Sequence, residues 1–154
     1  MKDKYMSSVK SKLADNLKQI TEYCNDSISG YESAADSIEE ENTILAKQFK
    51  ARAAERVILS QRLSNRLRDI GEDGEDSGTF RGAIHRGMLK LREIVSGKDV
   101  EAVVKECLRG ENELQDLIVE TKEECKTDGH TTDLLSQLNM HVDQSIRELE
   151  AIKA

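Results

Sequence analysis

From Val9 to Ile38 a mostly apolar position returns every third or fourth residue, and no proline interrupts it. The stripe passes through Leu13, Leu17, Ile20, Cys24, Ser27, Tyr31, Ala34 and Ile38. A 4,3 spacing puts all of these on one side of a helix, whereas a strand face would need period two. At 1.5 Å per residue the predicted helix is ~45 Å long. Gly30 inside it costs roughly 1 kcal/mol relative to alanine, so close approach of a neighbouring helix or of the Tyr31 ring is its expected purpose.

A second stripe, Leu45, Phe49, Arg52, Arg56, Leu59, Leu63, Arg66 and Ile70, predicts a helix from about Glu41, with Gly71 as its C-terminal cap. Only a few polar residues separate the two helices, and short joins give antiparallel neighbours. Glu72 to Gly82 is glycine-rich and acidic, hence irregular. A shorter helix is expected over Arg81 to Ser96, with Ile84, Met88, Leu91 and Val95 on one side. Gly97 stops it, and Asp99 caps the next helix.

The third long helix is expected over Val100 to Lys126, with Val104, Cys107, Glu111, Leu114, Ile118 and Cys125 inward. Asp128-Gly129 ends it. Thr131 or Thr132 then caps a fourth helix reaching about Ile152, with Leu135, Leu138, Val142, Ser145, Leu149 and Ile152 inward. Helices one and two are tightly joined, as are three and four, while a long stretch lies between two and three. Such a stretch can cross the length of a bundle. The expected architecture is therefore an all-α four-helix bundle with one long crossover that carries a short fifth helix. Residues 1–8 read as a tail and 9–154 as one domain.

Composition agrees with long helices: no proline, 3% aromatic and 34% charged residues. A net charge of −7 with scattered basic residues argues against a nucleic-acid partner. Three cysteines, an odd number without CxxC spacing, point to a reducing cytoplasm rather than a disulfide framework. The N-terminus lacks an apolar signal core, and no apolar run approaches the ~18 residues of a membrane span, so no membrane partner is expected. The G-x-S-x-G, P-loop, dinucleotide and H-E-x-x-H patterns are missing, and enzyme activity is not expected.

Four motifs carry a resemblance. They are Gly30-Tyr31-x-x-Ala34-Ala35, Phe49-x-x-x-Ala53-x-x-Arg56, Ser77-Gly78-Thr79-Phe80-x-Gly82-x-x-His85-Arg86, and Cys107-x-x-Gly110-Glu111. Together they resemble a bacterial ferritin-like family, distantly similar to rubrerythrin and catalogued as a domain of unknown function. The resemblance runs from about Ser8 to Lys153, with Met88 where the family often has tryptophan. It implies a ferritin-like four-helix bundle and, by fold analogy, a homo-oligomer.

The resemblance also implies where metal ligands would fall. The first-helix carboxylate falls at Cys24, and the Glu-x-x-His pair of the second helix at Arg56 and Leu59. Glu111 is a retained carboxylate, whereas its companion on the third helix falls at Leu114. The fourth-helix pair falls near Gln137 and Met140, with His141 one place out of phase. A di-iron site needs several carboxylates and imidazoles converging. A guanidinium among them repels the metal, so no metal or other cofactor is expected.

Arg56 and Glu111 then suggest an ion pair inside the bundle; the alternative is that Arg56 reaches the rim and Glu111 is solvated. Glu32, Glu111 and His141 are the residues left for an atypical metal site. His85 and Arg86 form a candidate interaction loop, or else a surface loop bonded to carbonyls or to the acidic run at 72–76. His130 reads as an exposed turn residue. Cys24 and Cys107 read as small apolar core residues, and Cys125, near Lys122 and Lys126, as the most reactive thiol. The expected function is a non-catalytic structural or interaction protein with an unidentified protein partner, with stress response the setting considered. The alternative is a metal-binding or redox protein built around Glu111 and His141.

Overall fold

The computed structural model describes residues 2–70, 99–125 and 128–153, which form four helices: α1 Lys2–Ile38, α2 Thr43–Asp69, α3 Val100–Glu124 and α4 Gly129–Lys153. The first helix continues back to Lys2, through the residues expected as a tail. Nothing in Asp3 to Ser8 is a glycine or proline that would stop it. Gly30 is buried within the unbroken helix. Among the described residues no helix is long and apolar enough to cross a membrane.

Side-chain caps set the helix starts. The Leu45 amide donates to Asn42 Oδ1 at 3.1 Å, and the Ala102 amide to Asp99 Oδ1 at 3.3 Å. At α4 the cap is Asp128 rather than Thr131 or Thr132, because its carboxylate takes the Thr131 amide at 3.2 Å. Each cap satisfies an amide of the first turn that has no partner within the helix.

Cross-helix contacts fix the directions. Ser27 meets Arg56 and Asn25 meets Ser60, so α1 and α2 are antiparallel. Asn16 meets Glu124 and Tyr23 meets Glu113, so α1 and α3 are antiparallel as well. Arg52 meets Glu148 and Arg66 meets Thr131, which makes α4 antiparallel to α2. Helix α1 packs beside α2 and α3, and α4 beside the same two, which leaves α2 and α3 at opposite corners. They run in the same direction, so the end of α2 and the start of α3 lie at opposite ends of the bundle. The predicted fifth helix, the cap at Gly71 and the His85–Arg86 loop fall outside the described residues.

Leu17, Ile20, Ile38, Phe49, Leu63, Leu114, Ile118, Leu135, Leu138 and Leu149 are fully buried. Each such side chain stabilises the fold by about 1.5–3 kcal/mol relative to exposure. Two inward expectations differ. Ser60 is buried on α2, whereas Leu59, although it also keeps a 4,3 spacing, is only partly buried. Leu59 packs at the margin of the core. Ile152 is 40% exposed, one turn beyond the last fully covered residue, Leu149.

Candidate functional site

Among the described residues the largest fully buried side chain is an arginine. Arg56 is 0% exposed, and its charge faces the interior because it occupies the stripe position between Ala53 and Ser60. Glu111, 2% exposed, occupies the equivalent position on α3, between Leu108 and Leu114. The structure brings the two together across the diagonal. Arg56 Nη2 donates to Glu111 Oε2 at 2.6 Å and Nη1 to Oε1 at 2.5 Å, a two-pronged fork that matches guanidinium to carboxylate. Nη1 also donates to Ser27 Oγ at 3.0 Å, and that hydroxyl donates to the Cys24 carbonyl at 2.8 Å.

Aromatic rings and a second arginine wall the pair. Tyr31 has the Arg56 guanidinium 5.5 Å from its ring centroid and that of Arg52 at 5.1 Å. Phe49 packs tilted against Tyr31, ring centroids 5.2 Å apart. Arg52, one turn before Arg56, reaches the bundle edge and donates from Nη2 to Glu148 at 2.6 Å. Cations over ring faces stabilise by roughly 0.5–2 kcal/mol each, more as water is excluded. Tyr31 Oη, Arg52 Nη1, Arg56 Nε and His141 Nε2 are buried without a hydrogen-bond partner among the described residues.

Electrostatics fix the protonation of this centre. Burial works against the Arg56 charge, but the Glu111 carboxylate outweighs it and raises the guanidinium pKa above its ordinary value. Burial pushes the Cys24 and Cys107 thiols up to about 12, so both stay protonated and unreactive. Tyr31 is held neutral by burial and by the neighbouring Glu111 charge. His141 is lowered by burial and by Arg56, and its Nδ1 lies 3.4 Å from Glu55 Oε2.

These residues do not fit a metal centre. Both Glu111 oxygens are engaged by Arg56, whose positive charge stands where a cation would sit. Glu32 does not join Glu111 and His141: it is exposed, since one residue past buried Tyr31 is a turn of about 100° around the helix. Among the described residues no three His, Cys, Asp or Glu side chains gather for a metal ion.

Cys125, expected as the reactive thiol, is buried at 2% exposure. Its Sγ lies 3.7 Å from Thr132 Oγ1, and burial raises its pKa. His130 is exposed.

Sequence reasoning overlooked a second linkage. Arg66 of α2 grips the α3–α4 turn, donating from Nη2 to both Asp128 oxygens at 3.0 and 2.8 Å and from Nε to Thr131 Oγ1 at 3.0 Å. Arginine recurring on an otherwise apolar stripe, at 52, 56 and 66, was the available signal that α2 binds its neighbours through charge.

A family model described as a domain of unknown function (DUF2383) matches residues 12–124, a span that contains both Arg56 and Glu111. No curated protein and no solved structure matches the chain.

Proposed function

Because the chain belongs to the DUF2383 family, whose function is unknown, we propose its role from the geometry: a metal-free ferritin-like bundle acting as a non-catalytic structural or interaction protein of the cytoplasm. The observation that carries the reading is the buried fork between Arg56 and Glu111. It fills the middle of the bundle with a fixed cross-link, and the resemblance to ferritin-like proteins would put metal ligands at these same two positions. A guanidinium stays charged at any physiological pH, so it neither yields a coordination position nor acts as an acid or base.

The helix order supports the ferritin-like part of the reading. Parallel α2 and α3 at opposite corners require the long connection that ferritin-like folds place between their second and third helices. The protonated, buried thiols support the non-catalytic part. A metal-handling role at Glu111 and His141 would need Glu111 to abandon Arg56 and leave a buried charge unpaired, which costs about 3–5 kcal/mol.

Elemental analysis of protein purified without chelator tests the proposal. Iron, manganese and zinc are expected well below one atom per chain. Stoichiometric iron or manganese would overturn it.

A further inference from the structure

The core layer around Tyr31 holds more hydrogen-bond donors than the protein itself uses. Tyr31 Oη, Arg52 Nη1 and Arg56 Nε are buried without a hydrogen-bond partner among the described residues. Their residues are 3%, 4% and 0% exposed, so bulk water does not serve them. Donors buried in this way are rare in folded proteins, and three at one level of a bundle call for a common acceptor.

Geometry gathers the three. Arg52 and Arg56 stand one turn apart on α2, and both guanidinium groups lie over the Tyr31 ring, 5.1 and 5.5 Å from its centroid. Glu111 takes Nη1 and Nη2 of Arg56, which leaves the Nε hydrogen on a different edge of the guanidinium plane. Glu148 takes Nη2 of Arg52 at the bundle edge, which leaves the buried Nη1 unclaimed. The Tyr31 hydroxyl keeps its proton, because burial and the Glu111 charge hold it neutral.

Charge narrows the choice of guest. Among the described residues Glu111 is the one carboxylate bonded to either guanidinium that is as buried as they are. Glu148, the partner of Arg52, is 45% exposed, and water screens its charge. The interior side of the layer therefore has two cations against one fully buried anion. A guest with a single negative charge balances them and accepts the three hydrogens. Water would bring no charge, and a metal cation would meet donors where it needs acceptors. Phe49, packed against Tyr31 at 5.2 Å and against Arg52 at 5.6 Å, restricts the guest to a few atoms.

We propose that Tyr31, Arg52 and Arg56 form a binding site for a small monovalent inorganic anion, of the size of chloride or nitrate, inside the bundle. The site adjoins the Arg56–Glu111 fork without using either of its bonds. It goes beyond the structural role proposed above, and its test does not depend on metal content.

Thermal melts of the full chain at fixed ionic strength, with bromide replacing gluconate, test it. A ligand held only by the folded state stabilises with the logarithm of its concentration, whereas a general salt effect has no such dependence on a dissociation constant. Bromide is expected to raise the melting temperature in that logarithmic way. Tyr31→Phe keeps the ring and removes one donor, so it should need ~10-fold more bromide for the same rise. In gluconate alone it should be no less stable than wild type, because the hydroxyl it loses has no protein partner. Lys105→Gln, exposed on α3, should respond as wild type does. His141 gives a second readout in the unaltered protein. The charges of Arg56 and Arg52 on α2 hold its pKa down, opposed by Glu111 on α3 and Glu55 on α2. An anion beside the arginines offsets them, so bromide should move the NMR titration of His141 to higher pH and gluconate should not. Equal melting temperatures in bromide and gluconate would overturn the site. So would a Tyr31→Phe response identical to wild type, loss of the response in Lys105→Gln, or a His141 titration indifferent to bromide.

Discussion

Arg56 and Glu111 meet in a two-pronged fork, 2.6 Å at Nη2–Oε2, although their helices stand at opposite corners and their backbones are not neighbours. The side chains alone span the diagonal, joining α2 to α3 through the middle of the bundle. Taking both charges out of water is costly, so the pair is weak evidence for stability. Its consequence is specificity: any helix arrangement that separates the two leaves an unpaired charge in the core.

Arg56→Met and Glu111→Leu should each destabilise the protein by about 3–5 kcal/mol, since each strands the opposite charge. The double variant should lose less than either single one, because no charge is then left behind. Urea denaturation of the four proteins gives the coupling. A double variant as unstable as the sum of the singles would mean that the two residues act independently.

Asp128 gives the turn between α3 and α4 a dependence on acid. Burial opposes its charge, but the bonds from Thr131 and Arg66 prevail and lower its pKa from 3.8 to about 2. A carboxylate lowered on folding stabilises above its unfolded value and loses that contribution as pH falls through the folded one. The difference between wild type and Asp128→Ala should therefore be about 2 kcal/mol at neutral pH from this linkage. It should fade as pH drops from 3.8 toward about 2. Thermal melts across that range measure it, and a difference that does not change with pH would contradict the linkage.

His141 acts at higher pH. Burial and the Arg56 charge keep its pKa below the ordinary histidine value, so the unfolded chain takes up a proton before the folded one does. Stability from this residue is present above the unfolded pKa and declines as pH falls toward the folded one. An NMR titration should find the His141 ring protons shifting at a pH below the ordinary histidine value. His141→Gln should flatten the loss of stability on mild acidification. Titration of His141 at or above the ordinary histidine value would refute the assignment.

All three thiols should resist an aromatic disulfide reagent in the native state, since each is buried and raised in pKa. Labelling should appear only with unfolding and then reach all three cysteines together. Rapid modification of Cys125 in folded protein would show that the α3–α4 turn opens readily.

Much of the fold was legible in the order of residues. Among the described residues nearly every stripe position of α1 and α3 is buried, because angular position on a helix follows from covalent geometry within a few residues. The buried face is wider than the stripe and takes in Ala14, Ala35, Val103 and Leu108 as well. The same rule put Arg56 and Glu111 on inward faces. It misled at Leu59, which keeps the 4,3 spacing yet is only partly buried, while Ser60 beside it is buried. It also misled for Glu32, whose carboxylate suggested a ligand while its neighbour Tyr31 already held the inward direction.

Sequence by itself determined that this chain makes long helices, which sides of them face inward, and which of them are tightly joined. Only the tertiary structure decided which inward residues meet. That Arg56 finds Glu111 instead of the rim, that Arg66 reaches Asp128, and that Cys125 is covered all depend on which helix stands at which corner. Periodicity is written locally in the chain, but a neighbour across the bundle is set by packing between residues far apart in it.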